Sequence, residues 1–239
     1  MSEQTISKNT LSRRKLLKMT AVGAGALAAS GCSAGALAAM EAAGPLPGIA
    51  TPDEALQRLM QGNERFATDR LTSRPNRTRA RLQALGAKQA PFASILGCAD
   101  SRVPVEILFD QGFGDVFVCR AAGNIATSEI IGSLEYGTLL LGSQVLMVLG
   151  HTACGAVTAT VKGEAVPGQI GSLYPYIHPA AVQVESGDLE AIIAQNVRNQ
   201  VDLLRNASPV IKELIRDGKL RVVGGVFDFH DGRVRLLEA

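Results

Sequence analysis

"PFASILGCADSR", Pro91 to Arg102, decides how the rest of the chain is read. Its first seven residues form a short apolar run, which predicts a buried strand. Directly after Gly97 a thiol, a carboxylate and a guanidinium follow at alternate positions: Cys98, Asp100 and Arg102. Two later runs behave alike. "DVFVCR" (Asp115 to Arg120) leads into "AAGN", and "SQVLMVLG" (Ser143 to Gly150) leads into "HTACG". Helical patterns separate these strands. Pro104 opens a short helix, Val105 to Asp110. "GNIATSEIIGSLEYGTLLLG" reads as one helix capped near Asn124, and "TACGAVTATVKG" as another closed by Gly163. Further helices are expected over about Asp188 to Asn206 and Pro209 to Arg216. The end, "LRVVGGVFDFHDGRVRLLE", reads as a hairpin with Asp231-Gly232 in the turn. Continuous apolar strands alternating with helices predict an α/β fold: a mainly parallel central sheet flanked by helices.

In such sheets ligands bind outside the carboxyl ends of the strands, and all three unusual segments fall there. His151 and Cys154, spaced i, i+3, would share one face of a helix starting after the third strand. Cys98 offers a second sulfur from a neighbouring strand end. Two Cys and one His form a zinc ligand set, and three protein ligands with one open place is the catalytic arrangement. Taken singly, Cys98 also suits a buried hydrophobe and His151 a satisfied core or capping histidine. Cys119 lies inside the second strand and reads as core packing. His178 and His230, in loop-like contexts, read as surface or structural residues.

The 239 residues divide into a leader (1–38), a linker (39–50) and one domain (51–239). In the leader, Lys8, Arg13, Arg14, Lys15 and Lys18 oppose only Glu3, so removing it turns a net charge of +2 into −2. That balance, with no Trp and few aromatics, gives no case for a nucleic-acid partner. "SRRKLLK" (Ser12 to Lys18) resembles a twin-arginine export signal, followed by an uncharged Ala/Gly-rich stretch too short to span a bilayer. A chance arginine pair in a disordered tail is the alternative. "ALAAM" (Ala36 to Met40) offers a cleavage site, and "ASGC" (Ala29 to Cys32) partly resembles a lipoprotein box. Export to the periplasm or cell surface is expected, with membrane attachment only if Cys32 is lipidated. The mature domain keeps three cysteines, Cys98, Cys119 and Cys154, too few and too spread for a disulfide framework. Within that domain, Thr51, Pro52 and Glu54 mark a capped helix start. The Arg-rich arm Thr68 to Arg81 reads as a solvated segment or one packed on a partner subunit.

"CADSRV" followed by "GHTACGA" resembles the beta class of carbonic anhydrases, zinc enzymes that interconvert CO2 and bicarbonate. "GDVFVCRAAGN", "SLEYG" and "GGVFDFHDGRV" resemble the same family, so the likeness runs from Asp53 to Leu237. The resemblance implies a parallel four-stranded core with an additional edge strand, and a homodimer or higher assembly in which an N-terminal arm wraps the partner. It implies one Zn2+ per subunit on Cys98, His151 and Cys154. It makes Asp100 and Arg102 a pair with two states: Asp100 as a fourth zinc ligand, or Asp100 held off by Arg102. In the second state zinc-bound hydroxide attacks CO2 while Asp100 orients it. No residue is identified as the proton shuttle. Gln111 is placed, across an alignment gap, near a substrate-contacting glutamine, and the backbone at Gly123 along the pocket. Ala121 stands where many members have Asn. Ile95 stands where the bicarbonate-inhibited subset has Trp, so that regulatory site is expected to be absent. A CS2 or COS hydrolase on the same site, and a zinc-stabilised binding protein without turnover, are the competing functions.

Overall fold

The computed structural model describes residues 49–72 and 77–238. The segment expected to be a leader, with its expected cleavage sites and Cys32, and most of the expected linker lie outside the described residues, as do residues 73–76 of the arm. Among the described residues no helix is long and apolar enough to cross a membrane.

Five strands form one sheet: β1 (Ala93–Gly97), β2 (Val116–Arg120), β3 (Val145–His151), β4 (Arg221–Phe227) and β5 (Val234–Leu237), in the order β2-β1-β3-β4-β5. The first four are parallel and β5 pairs antiparallel to β4 at the edge. The parallel core and antiparallel edge strand are those the family resemblance implies. β1 and β3, the central pair, are buried throughout, which is why both read as unbroken apolar runs. Their side chains alternate between two cores. Ala93, Ile95, Met147 and Leu149 face one, with Leu56 and Leu59; Leu96, Leu146 and Val148 face the other, with Leu134, Val197 and Leu204.

The first face is covered by α1 (Pro52–Ala67). Thr51 Oγ1 accepts the Glu54 N–H and the Glu54 carboxylate accepts the Thr51 N–H, so the expected capping box is formed. α1 approaches the chain after α3 (Val105–Leu108) closely: a Cβ on Gly62 would sit 1.8 Å from the Phe109 carbonyl oxygen. Backbone cannot yield as a side-chain tip would, so Gly62→Ala forces α1 off its seat. The expected cost is about 2–3 kcal/mol, read as a lowered urea midpoint. Asn63 fastens the same helix to the hairpin. Its amide donates to the Leu108 and Gly232 carbonyls, and its oxygen accepts the Val234 N–H at 2.7 Å.

The arm begins tied down. Arg65 and Thr72 hydrogen-bond Asp110, and Arg77 donates to the Gln111 and Glu106 carbonyls. Its short helix α2 (Arg79–Ala84) buries no residue within this chain.

Three expectations fail locally. The segment after β2 is not one helix capped near Asn124. A 3-10 turn, Ala122–Asn124, comes first, and α4 (Ser128–Glu135) starts after Thr127 and widens into a π turn, Tyr136–Leu140. Gly123 (φ 73°) and Asn124 (φ 47°) are both left-handed, which no helix start tolerates. His151 is the last residue of β3 and not the first of a helix; Cys154 is the N-cap residue of α5 (Gly155–Lys162), which Gly163 closes. Farther on, α6 (Tyr174–Gln183) contains His178, placed by sequence in a loop. α7 (Leu189–Ala207) and α8 (Pro209–Arg216) lie where expected and cover the second face with α4.

Candidate metal centre

The strand order reverses at β1: the chain crosses from it to β2 on one side, then back over it to β3 on the other. The crevice beyond the carboxyl ends of β1 and β3 is therefore the switch point of the sheet. Cys98 is the residue after β1, and β3 runs past the end of β1 to place His151 beside it. Ala153, left-handed at φ 54°, turns the chain so that Cys154 points back. The Cys98 and Cys154 sulfurs and a His151 ring nitrogen all lie within 4.8 Å of one another, and all three residues are buried. A strand end and a helix cap bring the pair together, and not the shared helix face inferred from their spacing.

The chemistry of this trio fits a metal ion. His151 Nδ1 lies 2.9 Å from the Thr152 carbonyl oxygen. A carbonyl only accepts, so Nδ1 carries the proton and Nε2 presents its lone pair. That Nε2 is fully buried and has no hydrogen-bond partner. Buried polar atoms are seldom left so, unless something else binds there. The sulfurs divide their charge. The Cys154 thiol beside it, against the cost of burial, with His151 and the N–H groups of Asp100 and Gly123, brings the Cys98 thiol down to about 4. Cys154 is pushed far up by sharing that hydrogen bond and by burial. Burial disfavours the imidazolium of His151, but the Cys98 sulfur and the Thr152 carbonyl outweigh it and raise its pKa. A divalent cation would displace the protons these groups share.

Asp100 stands beside the trio, with Oδ2 3.9 Å from His151 Nε2. Arg102 grips it three ways: its backbone N–H (2.9 Å) and Nε (3.0 Å) donate to Oδ1, and an Nη to Oδ2 (2.8 Å). Those bonds, Arg102 first, hold the Asp100 carboxyl far below the usual carboxylate range. Of the two states implied by the resemblance, this structure shows the one in which Arg102 holds Asp100.

Three supporting side chains were not among the candidates named from the sequence. Arg120 donates to the Cys98 and Asp100 carbonyls and so clamps the segment that carries both side chains. Asn196, fully buried on α7, donates to the Gly123 carbonyl at 2.9 Å, while the Gly123 N–H donates to Cys98 Sγ at 3.3 Å. Gly123 itself is confined: a Cβ there would meet Ile177 at 2.6 Å. Phe229, from the β4–β5 turn, packs its ring against His151 with centroids 5.2 Å apart. The arginine clamp and the asparagine reach in from 22 and 73 residues away, beyond any local motif.

The other candidates stand apart. Gln111 is buried, with its amide donating to the Phe109 carbonyl at 2.6 Å. Cys119 is buried in the second core and is not one of the clustered sulfurs. His178 and His230 are exposed. Ile95 is a fully buried core residue of β1.

The carbonic anhydrase family model matches residues 93–234. Carbonic anhydrase 2 of Mycobacterium tuberculosis is 36% identical over 192 residues, which cover 77% of this chain and 92% of that one. The carbonic anhydrase of Mycolicibacterium smegmatis is 35% identical over 192 residues, covering 77% and 93%. A solved beta-carbonic anhydrase from Coccomyxa superposes with a TM-score of 0.59 at 25% identity, covering 79% of this chain and 87% of that one. With its Cys-His-Cys cluster at the switch point of such a sheet, the chain belongs to the beta class of the carbonic anhydrases.

Proposed function

We propose that the protein holds one zinc ion on Cys98, His151 and Cys154 and hydrates CO2 reversibly to bicarbonate and a proton. The observation that carries this is the position of Asp100: beside the ligand trio, ionised, and held by Arg102. That leaves three protein ligands, the number found in catalytic zinc sites. Zinc supplies a Lewis acid that brings the pKa of water to about 7, an effect best known from carbonic anhydrases of a three-histidine class.

This chain's residues do the rest. Asp100 accepts a hydrogen bond from the attacking oxygen and turns a lone pair toward the carbon. Its depressed pKa keeps it an acceptor, so it orients and does not carry the product proton away. Arg102 supplies the charge-assisted bonds that fix that carboxylate. Ile125, Val157, Ile177 and Ile192 pack with the ligand cysteines in one buried apolar cluster, which keeps bulk water from the back of the sulfurs.

A stopped-flow CO2 hydration assay tests the reading. Rapid turnover is expected, lost on chelation and restored by zinc; no zinc-dependent hydration from mildly acidic to alkaline pH would sink it. Turnover of CS2 or COS without CO2 would select the competing hydrolase. We also propose a homodimer or larger assembly, because Leu82, Ile107 and Phe113 are exposed beside an arm whose helix buries nothing in its own chain. Light scattering on the purified protein is expected to give at least twice the chain mass. Export by the twin-arginine route rests on residues 12–38. Fractionated cells should yield a periplasmic or surface-bound form lacking the leader, and a full-length cytoplasmic form would refute it.

A further inference from the structure

Phe229 lies in the last hairpin and is none of the candidate site residues, yet it touches both halves of the site. Its ring lies against His151, and the Arg102 guanidinium carbon stands 4.4 Å from the ring centroid on its face. The ring is itself held. Its N–H donates to Thr152 Oγ1 at 3.1 Å, and Phe227 meets it edge-on at 5.5 Å. Thr152 is the residue whose carbonyl fixes the His151 ring, and its own N–H donates to the Phe227 carbonyl at 2.9 Å. One short hydrogen-bonded unit therefore sets the ligand histidine and the aromatic ring together.

Arg102 needs such a support. More than half of its side chain is exposed, and its hydrogen bonds to Asp100 lie in the guanidinium plane. Those bonds fix the in-plane position and leave the face uncovered. An aromatic face attracts a guanidinium through the ring quadrupole, and so supplies the out-of-plane restraint that the hydrogen bonds lack.

We propose that Phe229 is a positioning residue for the reaction: its ring face holds Arg102 in the orientation that grips Asp100, and so keeps the carboxylate away from the metal ligands. This rests on the function proposed above only for its catalytic meaning; the contact itself does not depend on that function.

The test uses phenylglyoxal, which modifies accessible guanidinium groups, on the chelated, otherwise intact protein. Modification of Arg102 is followed by peptide mass mapping. Phe229→Leu keeps an apolar side chain of similar bulk and removes the ring, and Phe229→Tyr keeps the ring. The expected result is an Arg102 rate raised about three- to ten-fold in Phe229→Leu, the range a cation–π contact of this size supports, and restored in Phe229→Tyr. Asp100→Ala sets the upper limit for a released arginine. An Arg102 rate in folded Phe229→Leu equal to that of the parent overturns the proposal, as does a Tyr variant that behaves like Leu. Zinc-loaded protein read in parallel separates the two ideas: a parent that hydrates no CO2 removes the function and leaves the modification result standing. In an active parent, Phe229→Leu should keep full zinc content and lose about three- to ten-fold in kcat, with Phe229→Tyr recovering it.

Discussion

His151→Ala is expected to leave the protein without its metal and to lower CO2 hydration at least about 1,000-fold. The side chain is fully buried, its Nδ1 proton is committed to Thr152, and its Nε2 has no partner but what the two sulfurs enclose. Removing it leaves two sulfurs, one ligand short of the three that catalytic zinc sites use. The loss of even a supporting hydrogen bond at a metal site costs about 10–100-fold, so loss of a ligand should exceed that range. Elemental analysis of the purified variant should show far less than one zinc per chain. Cys119→Ala is the control. That cysteine is equally buried but lies in the second core, so its variant should keep both metal and turnover at a modest cost in stability. A His151→Ala protein with full zinc and near-parent activity would refute the ligand assignment.

The second large effect separates metal binding from turnover. Asp100→Ala and Arg102→Ala should each keep one zinc per chain and lose about 10²–10³-fold in kcat/KM, the range for removing one preorganised hydrogen-bonding group. Neither residue belongs to the ligand trio in this structure. Because Arg102 acts through Asp100, by three hydrogen bonds, their losses should not add. The double variant is expected to be little worse than Asp100→Ala alone. Additive losses, or an active Arg102→Ala, would mean that the arginine has another task.

Much of this was readable in the sequence, for reasons that are local. The α1 start needs only Thr51, Pro52 and Glu54, three residues within one turn whose roles do not depend on the rest of the molecule. β1 and β3 are buried on both faces, so each writes itself as an unbroken apolar run. The hairpin turn advertises itself through Asp231-Gly232, and Gly232 is left-handed. Sequence failed where distant partners override local preference. Asn124 looks like a helix cap, but the Gly123 N–H is taken by Cys98 and its carbonyl by Asn196, so the chain turns there instead. His151 continues β3 because it pairs with Phe227, a residue 76 positions later, which the i, i+3 spacing of His151 and Cys154 could not convey. Arg120 and Phe229 reach the site from other strand ends, and nothing local to either residue shows that it does so. The ligands were legible because their chemistry is rare; the groups that position them are common residues in uncommon places.

The division of the ligands between β1 and β3 also fixes an order of events as the chain folds. These strands are parallel neighbours in space, yet β2 and its two crossovers lie between them in sequence. Such non-local pairing forms slowly, because loop-closure entropy must be met before the contacts repay it. Before that pairing, a nascent chain presents a lone Cys98 and, far away along the contour, His151 with Cys154. Neither half holds a metal well alone. Metal capture is thus a late event that reports a closed sheet, and once made it fastens two strand ends that a whole intervening strand separates along the chain.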